Sequence, residues 1–440
     1  MDRDAGPAGR THRGEGPRRQ LDAGCRDLLH GYSTNVHPGE DLAQVLDSLE
    51  RFAIPVRRAV FGDRAEAGLE LRLGIGAARD LLRPAAREKL AAFLGESRLR
   101  LFSINAYPLR DFHAPRVKEE AYRPAWTDPA RPLWTRRIAG ILAALLPPGL
   151  AGTISTLGGT YRRWGDGPRA RAAIARGYLE VIEELEEIEE RSGRRIALAV
   201  EPEPDTTFET AGDLIRFFEG VLLPAARRRW KGRLRTARIE EVLRGRFTVN
   251  LDTCHLSVVF RRPAGEMEVL RRAGIAIGKV HVTSAVALER PAVSPRAYAQ
   301  LRGMDEPRYL HQVRGADGRG RPVLALADLG DLPGDPGALG RAVRLRSHFH
   351  LPVSSARWGR LETTREETRE AVLLALRKDL CRQLVIETYT WPVIAGRGRG
   401  RLDLVREIAR EFRWLLGVIL EEKRRSGPSL ARSRIPLSRE

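Results

Sequence analysis

Short apolar segments alternate with longer segments of helical periodicity along most of this 440-residue chain. Eight of the short segments read as β-strands, and several of the longer ones begin at proline and carry apolar residues every three or four positions. Repeated strand and helix units predict a parallel sheet covered by helices, and eight of them predict an α/β protein with a closed (β/α)8 TIM barrel. The predicted strands run over Leu29 to Asn35, Leu69 to Ile75, Leu101 to Ala106, Thr153 to Leu157, Ile196 to Glu201, Phe247 to Asp252, Lys279 to Thr283, and Gln383 to Thr388.

Two stretches do not fit a minimal barrel and read as loop insertions, at about 208–246 and 285–352. The second is rich in glycine, proline and aspartate, and it contains one further predicted strand from Ala342 to Val353. Because barrels of about 250 residues tolerate insertions in their loops, we expect a single domain over 21–425. The basic N-terminal segment 1–20 and the C-terminal segment 426–440 are predicted to be disordered tails.

The formal net charge is +19, with 76 lysine and arginine residues against 57 aspartate and glutamate residues. Such a balance can indicate a nucleic-acid partner. Only six of the basic residues are lysine, and much of the excess lies in the tails and on helical faces, so we expect solvated arginines and no nucleic-acid partner. With no secretory signal and no apolar run long enough to span a membrane, the sequence predicts a cytoplasmic protein, either monomer or oligomer.

Polar residues end four of the late strands, where a barrel of this kind places its active site. These residues are Glu201, Asp252, His281 and Glu387. Each alone could be an ordinary strand-end residue. Together, three carboxylates converging on one axis would repel one another without a cation. Carboxylate oxygens with one imidazole suit Mn, Mg, Co or Zn, so the sequence predicts a divalent metal site.

The order Glu-Pro, Asp-x-x-His, His, Glu on these strands resembles the xylose-isomerase-like superfamily, which includes sugar epimerases, inosose-processing enzymes and endonuclease IV. Within it, the chain is similar to the family of metabolite traffic protein EboE, over about Leu28 to Trp391. The resemblance implies metal ligation by the four residues named above, with His255 facing a small polyhydroxylated, sugar-like or cyclitol-like metabolite. The segments that carry it are Ser33-Thr-Asn-Val-His37-Pro-Gly-Glu40, Asn105-Ala-Tyr-Pro-Leu-Arg-Asp111-Phe-His113 and Val117-Lys-Glu-Glu-Ala-Tyr122-Arg-Pro-Ala-Trp126.

The resemblance also implies a reaction of isomerase or epimerase type, in which a metal ion assists proton transfer on a polyhydroxy carbonyl compound. Glu201 and Glu387 would then remove and return the proton. Two alternatives stay open. One is a metal-dependent phosphodiesterase similar to endonuclease IV, and the other is a metabolite-binding or traffic protein that turns nothing over.

A His-x-His pair, His348 and His350, lies in the further strand of the second insertion. Histidines at i and i+2 on a strand point to the same face. With His255 they could bind a second ion, or one could pack in the core while the other binds substrate hydroxyl groups. Both interpretations predict that the three histidines lie close together near the mouth of the predicted active site.

Other polar residues at strand ends are weaker candidates. His37 follows the first strand and Asn105 ends the third, so both are predicted to bind substrate. His12 and His311 are expected at the surface.

Overall fold

The computed structural model describes residues 28–395 and 402–426. Eight strands pair in parallel and close into a barrel, which confirms the predicted fold. The strands are β1 (Leu29–Ser33), β2 (Ala67–Arg72), β3 (Leu99–Asn105), β4 (Gly152–Leu157), β5 (Ile196–Glu201), β6 (Phe247–Asp252), β7 (Ile277–Val282), β8 (Ser284–Glu289), β9 (Val313–Ala316), β10 (Pro322–Leu326), β11 (Arg344–Leu351), β12 (Arg357–Trp358), β13 (Leu361–Thr363) and β14 (Gln383–Ile386). The barrel has the order β1-β14-β7-β6-β5-β4-β3-β2.

Helices cover the outside of the barrel and bury the outward-facing apolar residues of its strands. The helices are α1 (Leu42–Ser48), α2 (Ile54–Phe61), α3 (Ile75–Asp80), α4 (Pro84–Glu96), α5 (Ala130–Leu145), α6 (Pro168–Ser192), α7 (Ala211–Phe217), α8 (Leu223–Arg229), α9 (Thr236–Arg246), α10 (Thr253–Val258), α11 (Pro263–Arg272), α12 (Pro295–Arg302), α13 (Arg365–Arg377), α14 (Trp391–Ala395) and α15 (Leu404–Ser426). The stretch 208–246, predicted as an insertion, forms α7 to α9 and joins β5 to β6 as part of this helical layer.

Alternate residues of the barrel strands point inward, and several of these are polar. Leu69 and Leu71 of β2 are fully buried among apolar residues, while Glu70 between them contacts Lys279 of β7 across the barrel. The period of two also places Lys279 and His281 on the same face of β7. The interior of this barrel therefore carries charged side chains directly beneath its C-terminal mouth.

The second insertion forms a sheet of its own, here called the inserted sheet (β8 to β13, 284–363). Its six strands have the order β10-β9-β11-β8-β13-β12 and pair in an antiparallel manner. It lies in the connection between β7 and α13, and it is longer than the predicted 285–352. The strand expected from Ala342 to Val353 is β11, and the sequence did not predict the other five.

A loop between β3 and α5, here called the mouth segment (106–123), is fastened to the inserted sheet. The backbone N–H groups of Val117 and Lys118 donate to the carbonyl oxygen of Arg308, at 2.8 and 2.7 Å. The Lys118 ammonium donates to the Glu306 carbonyl oxygen at 2.8 Å and to Asp328 Oδ2 at 2.5 Å. These contacts hold the mouth segment across the C-terminal end of the barrel.

The predicted tails 1–20 and 426–440 lie outside the described residues, apart from Ser426 at the end of α15. None of the helices within 28–395 and 402–426 has the length and apolar character needed to cross a membrane.

Candidate metal centre and cavity

The four strand-end residues predicted to bind a metal lie together at the mouth of the barrel. Glu201, Asp252, His281 and Glu387 each place one ligand atom within 4.8 Å of the others. His281 Nδ1 lies 3.1 Å from Glu201 Oε1, 2.8 Å from Glu387 Oε2 and 3.7 Å from Asp252 Oδ2. Ligands bound at about 2.0 to 2.2 Å from one ion lie about 3 to 3.5 Å from each other, so this spacing suits a divalent cation.

Local structure orients the carboxylates of this cluster. Asp252 ends β6 and caps helix α10, because its Oδ1 accepts the N–H of His255 at 2.8 Å. Its Oδ2 is buried and has no hydrogen-bond partner among the described residues. Glu387 Oε1 accepts from the side-chain amides of Asn35 and Asn105, at 2.7 and 3.1 Å. Asp252 Oδ2 is thereby left for another ligand, while Glu387 Oε2 faces His281 Nδ1 within the cluster.

The electrostatics of the cluster favour a cation. Burial raises the pKa of Asp252 well above its ordinary range, and the carboxylates of Glu201 and Glu387 raise it further. Burial also raises the pKa of Glu387, although the adjacent His281 opposes this shift. For His281, burial lowers the pKa, but Glu387 and Glu201 outweigh burial and raise it well above its usual value. The donor types and the unpartnered Asp252 oxygen fit a divalent ion, which would neutralise this excess of negative charge.

A second layer of buried polar groups lies beneath His281. Its Nε2 is 3.1 Å from Glu70 Oε1, and Glu70 in turn contacts Lys279 and Ser103. Sequence reasoning did not single out Glu70. The available signal was a charged residue flanked by Leu69 and Leu71 in a predicted strand, which the period of two turns toward the barrel axis.

The structure brings His255, His348 and His350 together beside the carboxylate cluster. His350 Nε2 is 3.3 Å from His255 Nε2 and 3.2 Å from His348 Nε2. Burial lowers the pKa of all three, in the case of His350 to about 3, so the rings are neutral. Each Nδ1 lies close to a carbonyl oxygen: His255 to Pro202 O at 3.1 Å, His350 to Glu387 O at 2.8 Å, and His348 to the Gln312 side chain at 2.6 Å.

The carboxylate cluster and the histidines open into a small cavity of about 50 Å³. Glu203 lines this cavity, and its carboxylate accepts from the hydroxyl groups of Tyr107 at 2.6 Å and Tyr122 at 3.0 Å. Burial raises the pKa of Glu203 to about 8, against the effect of the Tyr107 hydrogen bond. Tyr309 and Tyr389 also line the cavity. Sequence reasoning missed Glu203, although it lies two residues after Glu201 in the same strand-end motif.

His37, His311 and Asn105 have surroundings that differ from those predicted. His37 lies outside the cavity, where it stacks on Phe52 and contacts the Tyr32 hydroxyl at 3.0 Å. Asn105 is buried and holds Glu387. The expectation for His311 was wrong, because it is fully buried and contacts Glu306 Oε1 and the His348 carbonyl oxygen. His12 lies outside the described residues.

No protein-family model matches the chain, and no curated protein matches it in sequence. Several solved structures match in overall fold. A xylose isomerase-like TIM barrel protein from Mycobacterium smegmatis in complex with magnesium is 12% identical with a TM-score of 0.48, over 91% of this chain and 99% of that one. An L-ribulose 3-epimerase is 12% identical with a TM-score of 0.45, over 93% and 99%. The IOLI protein with a bound zinc atom is 12% identical with a TM-score of 0.42, over 90% and 99%.

Proposed function

We propose that this chain is a divalent-metal-dependent enzyme of isomerase or epimerase type, which acts on a small sugar-like or cyclitol-like metabolite by proton transfer. The observation that carries the proposal is the placement of Glu201 and Glu387. They come from strands on either side of β7, both lie near His281 Nδ1, and both line the cavity. Two carboxylates facing one cavity can remove a proton from a bound substrate and return one to it.

Glu201, Asp252, His281 and Glu387 would hold the ion, and Mn, Mg, Co and Zn all accept such a donor set. A bound divalent ion supplies Lewis-acid chemistry, which polarises a substrate carbonyl group and makes the adjacent C–H bond more acidic. The surrounding residues orient the carboxylates. Asn35 and Asn105 engage one oxygen of Glu387 and leave the other directed toward the cluster.

The cavity supports a small, polyhydroxylated substrate. Among its lining residues, Glu203 and the neighbouring histidines offer hydrogen-bond acceptors to hydroxyl groups. A phosphodiesterase acting on DNA would have to admit a nucleotide together with its flanking backbone. The mouth segment, held by Lys118, covers this end of the barrel and therefore disfavours that alternative.

We further propose that the metabolite belongs to the kind of pathway served by the EboE proteins that the chain resembles. Asn35 and Tyr122, from two of the resembling segments, line the cavity, and Asn105 from another holds Glu387. A metabolite traffic protein would use the same cavity to bind its ligand without turnover. Turnover therefore separates the two alternatives.

The histidine cluster supports a second ion as part of this proposal. A carbonyl oxygen accepts hydrogen bonds and cannot donate them, so the Nδ1 atoms of His255 and His350 carry the protons. Gln312 donates its amide N–H to the Pro204 carbonyl oxygen at 3.1 Å, so its own oxygen faces His348 Nδ1. The Nε2 atoms then carry lone pairs, and that of His350 lies near those of both His255 and His348. A cation among them would satisfy these lone pairs.

The proton-transfer mechanism is tested by isotope exchange. Purified protein loaded with Mn²⁺ is incubated with a panel of ketoses and cyclitol ketones in heavy water, and NMR detects deuterium at the carbon next to the carbonyl. We expect exchange in wild type. Glu387→Gln should reduce the exchange rate by about 10² to 10⁴, the usual contribution of a general acid or base. Because Gln keeps an oxygen facing the cluster, some metal should remain bound to the variant.

Three outcomes would overturn the proposal. Binding without exchange on the panel would indicate a carrier. Cleavage of DNA with an abasic site, without carbon exchange, would indicate a phosphodiesterase. Conversion of a substrate in heavy water with no deuterium at carbon would exclude a solvent-exchanging proton transfer.

A further inference from the structure

We infer that Glu70 and Lys279, inside the barrel, are positioning residues that set which nitrogen of His281 carries the proton and so aim the other at the ion. This inference rests on the proposed metal site, and it is independent of the reaction proposed for that site. Neither residue lines the cavity, and both are fully buried beneath its floor. Their effect on the ion would pass through His281 alone.

The hydrogen bonds around Glu70 determine that His281 Nε2 is a hydrogen-bond donor. Glu70 Oε2 accepts from the Ser103 hydroxyl at 2.7 Å and from the Lys279 ammonium, while Oε1 lies 3.1 Å from His281 Nε2. A carboxylate beside an ammonium group is ionised and can only accept. His281 Nε2 must therefore donate.

A histidine binds a metal through its deprotonated nitrogen, so with the Nε2 proton held by Glu70 it is Nδ1 whose lone pair would engage the ion. Nδ1 is the atom that faces Glu201 and Glu387 at 3.1 and 2.8 Å. A histidine metal ligand commonly donates its second ring nitrogen to a carboxylate, which fixes both the tautomer and the orientation of the ring. Glu70 occupies that place relative to His281.

Lys279 is engaged within the same network. Its ammonium donates to Glu70, to Ser155 Oγ at 2.8 Å and to Ser103 Oγ at 3.1 Å, which uses its three N–H groups. It has no donor left for a substrate. Its contribution is to keep Glu70 ionised and fixed beneath His281.

The energetic cost of this pair argues for a function. Barrel interiors are usually filled by layers of branched apolar side chains, and burying two charges is unfavourable until they pair. Replacing a buried ion pair by apolar residues of similar size is often neutral or stabilising. A purely structural pair should therefore be replaceable without consequence for the ion.

The test is the double variant Glu70→Leu with Lys279→Met, which keeps the volume and removes both charges together. We measure thermal stability, Mn²⁺ and Co²⁺ affinity by calorimetry, and the visible absorption spectrum of the Co²⁺ form. We expect an unchanged or higher melting temperature, a metal affinity lower by about 10- to 100-fold, and a shifted Co²⁺ spectrum. The control is Arg246→Met, which removes a buried guanidinium from its ion pairs with Glu186 and Glu189 before β6, at the far end of the barrel, and should leave metal affinity unchanged.

A folded double variant with wild-type metal affinity and an unaltered Co²⁺ spectrum would overturn the inference, as would an equal loss of affinity in the control. If the double variant does not fold, Glu70→Gln decides the question. Glutamine keeps the shape and one acceptor oxygen but places an amide near Lys279, so metal affinity should fall by an intermediate factor. Unchanged affinity in that variant would also overturn the inference. Because every readout is made without substrate, failure of the isotope-exchange experiment would leave this result standing.

Discussion

The barrel and the inserted sheet both bring residues to the cavity, but they do so by different routes. The candidate ligands come from four barrel strand ends, at 201, 252, 281 and 387, and closure of the parallel barrel brings them together. The inserted sheet contributes His348, His350 and Tyr309 from a single connection between two barrel elements. The position of the ion thus depends on the whole barrel, whereas the shape of the cavity depends largely on one insertion.

The two regions also differ in how their residues are held. Among the barrel ligands, the buried Glu70 and Lys279 hold His281 from inside the barrel, and Asn35 and Asn105 hold Glu387. The inserted sheet contacts the mouth segment through the backbone of Arg308, the side chain of Lys118, the hydrogen bond from Gln312 to Tyr122 and the packing of Tyr309 on Phe112. Changes in the barrel should therefore alter metal content, and changes in the inserted sheet should alter access to the cavity.

The largest expected effect is loss of the metal when a barrel ligand is removed. His281→Ala deletes the imidazole donor and leaves three carboxylates without it, so we expect the tightly bound ion to fall from about one per chain to nearly none. Elemental analysis after gentle purification and reconstitution measures this. A His281→Ala protein that retains the wild-type ion would show that the barrel cluster is not the metal site.

His350→Ala is the matching change in the inserted sheet, and it should leave the barrel ion in place. If wild type binds two ions and this variant binds one, the histidines hold the second ion. If both proteins bind one ion, the histidines bind substrate hydroxyl groups instead. Loss of all metal in His350→Ala would contradict the conclusion that the barrel alone determines binding of the first ion.

The next effect concerns the mouth segment. In Lys118→Met, the largely buried carboxylate of Asp328 loses its ammonium partner. Removing one partner of such an ion pair costs about 3 kcal/mol of stability. Hydrogen exchange of the backbone amides in 106–123 should become about 100-fold faster, since each 1.4 kcal/mol corresponds to a factor of ten. Metal content should not change.

The double variant Lys118→Met with Asp328→Asn removes both charges and is the control. The double variant should recover part of the protection against hydrogen exchange in 106–123, because no unpaired charge remains. Exchange in the mouth segment that is as slow in Lys118→Met as in wild type would mean that its other contacts, such as the Arg308 backbone hydrogen bonds and the packing of Phe112 on Tyr309, are enough to hold it.

The contrast between the regions also explains what could be predicted from the sequence. The bounds of β5 and β6 match the prediction, because a buried parallel strand is an apolar run that ends at a polar residue. The same rule identified Glu201, Asp252, His281 and Glu387, since each ends such a run or lies near its end. Their common position at the barrel mouth then follows from the fold alone.

The inserted sheet gave no comparable pattern. Most of its strands are short, β10 is largely exposed, and glycine and proline interrupt the stretch, so its sequence resembled a loop. The burial of His311 depends on its packing against Phe349, 38 positions later, and its hydrogen bonds to Glu306 and the His348 carbonyl, which no local periodicity reveals. Likewise, the contact of Glu70 with Lys279 joins residues 209 positions apart and depends on barrel register.

The smallest expected effect comes from Glu411 on α15, which links the two regions. Its carboxyl group accepts from Thr388 and Trp391 after β14, and from the N–H of Val353 just beyond β11. Burial raises the pKa of Glu411 to about 7. The hydrogen bonds from Thr388, Trp391 and Val353 lower this pKa, and the charge of the nearby Glu407 raises it. The folded protein therefore holds a proton that the unfolded chain has lost above its ordinary pKa near 4.5. This contribution to stability is complete below that ordinary value and is lost as the pH rises through 7.

Between pH 5 and pH 7 the free energy of unfolding of wild type should therefore fall by about 2 kcal/mol because of this one group. Denaturant unfolding across this range, compared with Glu411→Gln, isolates the effect, since glutamine does not titrate and the variant should lose this component of the pH dependence. Glu421→Gln on the same helix is the control: the hydrogen bond from Arg369 holds the pKa of that exposed carboxyl below its ordinary value, so its slope should match wild type. Equal slopes in wild type and Glu411→Gln would show that the carboxyl joining barrel and inserted sheet is already ionised at pH 5, and that its three donors outweigh its burial.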